Sequence, residues 1–427
     1  MNAGRKSEKG GLIAGGRHYS TRGWVTPALV AMVCLALVAA AYERGRGNLH
    51  RIRSRVDPQP APEVLPTGPG GQEPVHLSRS TSSIGRDVEL VSATFLPGRG
   101  MNVFQITALV PGHGEVPLLV SPPIASATEI LNGQDSDANG SASSSLGGAI
   151  LLPWARRLSG SSTAAAGMLS TDWNGRRLNF PAEDAGSNLS VEGLLLNRGA
   201  DSIQSQVLPD GQSAEATFHA GDFSGNWPSN VDVVVEAQLT EHDLDLTVTA
   251  KNTGQQPTPF GVGWKPYFAV PNGNRAQTLL RIPSQTVMEI DRQKRLPTGR
   301  MMDVGGKAED LSRAGGVSLG TTAIDATYTN LISGGDGKPA AEISYPAYNL
   351  RVSLIPLTPD ITSMHVVAPE DKPWISIEPN TNLDDPFGPE WNSPENAGII
   401  TLAPGATLTW KVRLEISALS ASGTDLD

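Results

Sequence analysis

From Thr81 to Ser417 almost no stretch keeps the 3.6-residue apolar period of a helix. Instead, short runs in which apolar and polar residues alternate singly recur between Gly, Pro, Asn and Asp. A strand with one wet face needs its apolar side chains two apart, so the pattern commits this region to β-structure. Expected strands include VDVVVEAQL (231–239), LDLTVTAKN (244–252), EISYPAYNLRVSLI (342–355), ISI (375–377) and LTWKVRLEI (408–416). In LDLTVTAKN, Leu244, Leu246 and Val248 fall on one side and Asp245, Thr247 and Thr249 on the other, as in a half-buried antiparallel strand. The 46 Gly and 33 Pro among 427 residues supply frequent turns, and 39% hydrophobic residues supply a core. Length alone leaves room for two or three domains or one large all-β domain. With few helices and no evident internal repeat, residues 81–417 read as a single β-sandwich.

The first 56 residues have a different character. Ten Lys/Arg against Glu8 and Glu43 give them a charge of +8, whereas the rest carries −18. So acidic a body argues against a nucleic-acid partner. Between Arg22 and Glu43 lies WVTPALVAMVCLALVAAAY, an uncharged run near the length of a membrane-spanning helix, here about residues 24–42. Its basic flank and the run Ala39, Ala40, Ala41 also fit a cleaved secretory signal. Both readings export the body, leaving it membrane-anchored or secreted, and periplasmic if the cell is bacterial. The charge of Arg44 to Arg55 after the span would favour the opposite orientation. Residues 57–80, rich in Pro and Gly, read as an extended linker, and 418–427 as a flexible tail. The lone Cys34 excludes an intrachain disulfide and a Cys-ligated zinc domain.

Four stretches place charged or aromatic side chains beside turn residues, where a cleft can open. In LLPWARRLSG (151–160), Trp154 offers a flat face on which a sugar ring can stack and Arg157 a planar fork of donors for hydroxyls. A core tryptophan with surface arginines is the plainer alternative. PTPFGVGWKPYF (257–268) sets Lys265 between Trp264 and Pro266, either as a snorkelling surface residue or as a buried amine with a lowered pKa. In KPWISIEPNTNLDDPFGPEW (372–391), alternation turns Glu378 away from Ile375 and Ile377, as a general base or as a paired structural carboxylate. LGTTAIDATYTNL (319–331) contributes Asp325 as a hydrogen-bonding candidate.

Taken in order, LLPWARRLSG, NLSVEGLLLNR (188–198), LTVTAKNTGQQPTPFGVGWKPYF, IDATYTNL, WISIEPNTNLDDPFGPEW and AGIITLAPGATLTWKVRLEI resemble the aldose 1-epimerase (galactose mutarotase-like) family. LVSATFLPGRGMNVFQI resembles its N-terminal strands, so the likeness covers about residues 86–417. It implies an all-β supersandwich with a sugar-binding cleft, and interconversion of α and β anomers of an aldose without metal or organic cofactor. In that chemistry a glutamate takes the proton of the anomeric hydroxyl and a histidine protonates the ring oxygen. The resemblance matches Glu378 to the glutamate, Arg157 to the sugar-binding arginine and Asp325 to the family aspartate.

Both histidines depart from the pattern. Lys265 stands where relatives read HPYF or HTYF, and Glu192 where they read N-x-x-HG. Lys265 is the remaining candidate for the acid if burial lowers its pKa, a shift that Glu192 would oppose. Alternatively, Lys265 and Glu192 replace the two imidazoles with an ion pair, which suits binding better than proton transfer. Two functions follow: an aldose 1-epimerase-like isomerase acting through Glu378 and Lys265, or a membrane-tethered carbohydrate-binding protein that has lost turnover. In either, Arg157, Trp154, Glu192, Asp325 and Trp264 are the expected sugar-binding residues.

Overall fold

The computed structural model describes residues 31–44, 68–80, 87–131, 137–190, 192–332 and 341–419. The chain divides into two units at Leu65/Pro66. In the first, residues 31–44 form an exposed helix. The earlier part of the expected membrane segment, residues 24–30, lies outside the described residues, as do 57–67 of the linker and 420–427 of the tail. No helix among the described residues is long and apolar enough to cross a membrane.

The second unit is built from two large antiparallel sheets. In the nine-stranded sheet, Thr407–Ala418 lies between Leu350–Pro356 and Asp243–Asn252, followed by Val231–Leu239, Gly211–Gly221 and the edge strand Ser202–Leu208. The seven-stranded sheet runs Leu296–Asp303, Thr286–Asp291, Ile324–Thr329, Ser363–Ala368, Trp374–Asn380, Gly263–Ala269 and Gly148–Leu151. Leu246, Val248 and Val412 of the first sheet and Val366, Ile375 and Ile377 of the second belong to one continuous apolar core. The expected alternation holds in Asp243–Asn252, where Leu244, Leu246 and Val248 are buried. Asp245 on its other face is buried as well, because Arg413 and Lys411 pair with it. The run 342–355 is two strands, not one. Pro346–Tyr348 is a 3-10 turn, Asn349 takes a left-handed conformation, and Tyr345 pairs with Leu350 across the resulting hairpin.

The body also begins earlier than the composition suggests. Val75–Ser78 pairs with Glu89–Leu96, and Leu77 is a core residue. Among the preceding glycines, Gly70 is a packing element. Gly70 has φ 71°, and a Cβ on it would lie 2.1 Å from the carbonyl oxygen of Gly98. Only a residue without a side chain allows that approach.

Candidate active site

The seven-stranded sheet turns Trp264, Phe268, Met364, Val366, Ile375 and Ile377 into the core. The period of two therefore sends Lys265, Tyr267, His365, Val367, Ser376 and Glu378 to the opposite face, joined by Asp325 and Thr327. Register then aligns them. Thr327 lies opposite His365, and His365 opposite Glu378. The pairs Gly263↔Asn380 and Tyr267↔Ser376 bracket Lys265 opposite Glu378. One row across four strands thus reads Thr327, His365, Glu378, Lys265, with neighbouring Cβ atoms about 4.5–5.5 Å apart.

Two loops close over this row. The segment after Leu151 and the segment after Asn380 are zipped together by Asn382 bonding both N–H and C=O of Ala155, and by Asp385 accepting from Ser159 N–H and Oγ. At the crossing, Arg156 has φ 66°, a conformation that side-chain-bearing residues seldom hold without outside support. Its guanidinium supplies that support. It bonds both oxygens of Asp384 at 3.3 Å, Glu192 Oε1 at 3.3 Å and Glu378 Oε2 at 3.2 Å. Glu192 also accepts from Lys265 Nζ at 2.7 Å, and Ser376 Oγ donates to Glu378 at 3.1 Å. The positions expected to hold two histidines are therefore joined by an ion pair.

These contacts set the charge states. Burial pushes the Glu378 carboxyl up to about 7, against the pull of Arg156 and Lys265. Burial alone would deprotonate Lys265 more readily, but the adjacent Glu192 carboxylate outweighs it and holds the amine charged, above its ordinary value. Glu192 is correspondingly held below the usual carboxylate range, Lys265 and Arg156 outweighing its burial. Burial, then the cations Arg156, Arg157 and Lys265, push His365 well below its ordinary value, so the imidazole is neutral. Its Nδ1 lies 2.9 Å from Thr327 Oγ1, which donates to Asp384 Oδ2 at 3.4 Å. Thr327 thus holds the Nδ1 edge of the ring, and the Nε2 edge lies 3.4 Å from Asp325 Oδ1.

A cavity of about 650 Å³ opens on this face, within the roughly 300–1,000 Å³ range of small-molecule sites. Arg156, Arg157, Asp325, Thr327, His365 and Asp384 are among its polar lining, and Val287, Met288 and Ile324 among its apolar lining. Of the expected residues, Arg157 and Asp325 face this space. Arg157 is half-buried, and among the described residues no group hydrogen-bonds its guanidinium, so its donors are free for a ligand. Glu378 is 0% exposed and sits behind the wall, in contact with Arg156. Lys265 and Glu192 form the far end of the ion network. The two tryptophans are corrected to core residues. Trp154 stacks on Trp227 at 5.4 Å and packs on Phe180, and Trp264 donates to Gly148 O and meets Phe268 edge-on. Both are fully buried, so neither presents a face to the cavity.

Four residues of the site escaped the sequence reading: Arg156, His365, Thr327 and Asp384. Alternation in SMHVVA marks His365 as facing away from Met364 and Val366, but nothing in the sequence says that Glu378 is its neighbour. Arg156 and Arg157 are adjacent and chemically alike, and only the left-handed turn at Arg156 sends one into the carboxylates and the other into the cavity.

The aldose 1-epimerase family model matches residues 123–415. No protein of curated function matches the chain. Among solved structures, a galactose mutarotase-like protein from Clostridium acetobutylicum is similar with a TM-score of 0.64 and 18% identity, over 78% of this chain and 94% of that one. An aldose epimerase homologue from C. elegans is similar with a TM-score of 0.60 and 14% identity, over 78% and 96%. A putative aldose 1-epimerase from Escherichia coli K12 has a TM-score of 0.57 and 17% identity, over 81% and 100%. At these identities the structural likeness establishes the fold.

Proposed function

This chain belongs to the aldose 1-epimerase family, and from that premise we propose that it is a carbohydrate-active isomerase interconverting the α and β anomers of an aldose. The observation that carries the reading is the buried row in which Thr327 and His365 line a cavity, with Glu378 directly behind them, and that cavity also presents the free guanidinium of Arg157. Anomer exchange needs a proton removed from one oxygen on C1 and another delivered to the second, by groups tuned towards neutrality. A carboxyl raised to about 7 is such a group, existing in both forms at neutral pH. Arg157 and Asp325 supply, respectively, donors and an acceptor for sugar hydroxyls.

The test is anomer exchange of glucose and galactose followed by NMR or polarimetry, with wild type beside Glu378→Gln. Wild type is expected to exceed the buffer rate and Glu378→Gln to lose at least about a hundredfold. Equal rates in the two proteins would remove Glu378 from the mechanism.

A second reading, carbohydrate binding without turnover, is favoured by one observation: Arg156 covers Glu378 and leaves it no exposed surface. Measurable sugar binding with exchange no faster than buffer on every sugar tried would select it. In either case we place the body outside the cytoplasm, held by the N-terminal segment. Protection of the body from protease added to cells stripped of any outer membrane and wall, with digestion after lysis, would reject that placement.

A further inference from the structure

We propose that His365 is a catalytic residue of this site, its Nε2 exchanging a proton with the anomeric hydroxyl while Glu378 exchanges one with the ring oxygen. This rests on the anomer-exchange reading and assigns the part that the Lys265 corner does not play. Three observations carry it. First, His365 lines the cavity, yet it is only 2% exposed, so its imidazole is a built part of the wall. Second, its Nε2 is buried, with no hydrogen-bond partner among the described residues, and stands 3.4 Å from Asp325 Oδ1. Such a nitrogen is a cost to the fold unless something enters to use it. Third, Thr327 Oγ1 at 2.9 Å from Nδ1, itself in contact with Asp384, orients the ring so that the Nε2 edge is left for the cavity.

The spacing suits the chemistry. The anomeric oxygen and the ring oxygen share C1, so groups within hydrogen-bond reach of each, on either side, stand about 5–7 Å apart. His365 and Glu378 are direct cross-strand neighbours with Cβ atoms about 4.5–5.5 Å apart, so the two side chains rise side by side from one face of the sheet. Lys265, by contrast, is held by Glu192 at 2.7 Å and offers its proton to that carboxylate.

The groups facing His365 are Arg156, Arg157, Lys265, Asp325, Asp384, Thr327 and Glu378, and the reaction starts from a neutral imidazole and a protonated Glu378. With the proton on the carboxyl, Nε2 takes hydrogen from the anomeric O–H as the C1–ring-oxygen bond breaks. The Glu378 proton passes to the ring oxygen, and C1 becomes the aldehyde carbon. The imidazolium formed stands beside the Asp325 carboxylate. After rotation about C1–C2, the ring hydroxyl attacks C1 from the other face. Its proton returns to Glu378 and the imidazolium proton to the new anomeric oxygen. Reaching the ring oxygen requires Glu378 to exchange its 3.2 Å contact with Arg156 for the sugar, and Arg156 keeps Asp384 and Glu192 when it does.

The experiment measures anomer exchange of glucose and galactose in the full chain from pH 5 to 9, with sugar binding by calorimetry. It compares wild type, His365→Gln, His365→Ala and Thr327→Val. His365→Gln is expected to lose at least about a hundredfold in turnover with binding changed less than about threefold. His365→Ala is expected to recover rate on adding imidazole, a rescue that a purely structural histidine would not show. Thr327→Val, which removes the contact orienting the ring, is expected to lose about tenfold. Turnover of His365→Gln within threefold of wild type, or no imidazole rescue in a folded His365→Ala, overturns the assignment while leaving the isomerase reading intact. Wild type no faster than buffer on either sugar overturns both.

Discussion

Replacing Lys265 with methionine separates the two parts that residue can play. Its Nζ lies 2.7 Å from Glu192, with 16% and 10% of the two side chains exposed. Removing one partner of a buried pair costs about 3–5 kcal/mol, chiefly because the other charge is stranded. Glu192 would still hold Arg156 at 3.3 Å, so the lower end, about 3 kcal/mol, is expected. Changing Glu192 to glutamine in the same chain removes the stranded charge, and the double variant should recover about 2 kcal/mol of the summed single losses. Urea unfolding followed by circular dichroism measures all four proteins. Additivity within about 0.5 kcal/mol would refute the ion-pair account. The kinetics carry a second sign. Lys265 pulls the Glu378 pKa down and Glu192 pushes it up, so the pH–rate limb near 7 should move up in Lys265→Met and down in Glu192→Gln. Turnover at each variant's own optimum should fall less than about tenfold, whereas deleting the acid itself costs about 10²–10⁴-fold. A loss beyond a hundredfold in Lys265→Met, with the limb unmoved, would restore Lys265 as the proton donor.

Arg157→Met should weaken sugar binding at least about tenfold by calorimetry while leaving the melting temperature within a degree or two, because the lost donors serve a ligand and not the fold. An unchanged affinity would remove Arg157 from the binding site. Trp154→Leu should do the reverse, destabilising by about 2–4 kcal/mol as a large core side chain is cut back, with sugar affinity in the folded protein within twofold. A large affinity loss at constant stability would revive the stacking role. Glu378 gives a pH signature in stability. Its folded pKa of about 7 lies above the ordinary 4.5, so its contribution is complete below about 4.5 and is lost as pH rises through 7. Glutamine does not titrate, so the melting temperature of wild type minus that of Glu378→Gln should fall between pH 5 and 8. Parallel curves would show that burial does not raise this carboxyl.

The sequence by itself determined the architecture and the face on which the chemistry sits. Single alternation dictated strands, and in ISIEP it separated Ile375 and Ile377 from Glu378, because successive side chains of an extended chain must point to opposite sides. The ordered motifs identified the family, and the exchange of both expected histidines for a lysine and a glutamate was already consistent with the ion pair that forms. Tertiary structure decided which same-faced residues meet. Thr327, His365, Glu378 and Lys265 come from four strands of which only those of His365 and Glu378 are consecutive in the chain, and their row exists only because the four are neighbours in one register. It likewise decided that Arg156 is the buried hub and Arg157 the free donor, through one left-handed residue, and that both tryptophans belong to the core. Alternation is local stereochemistry, carried by every residue, whereas adjacency across a sheet is a property of the folded chain, set by how distant segments pack around a shared core.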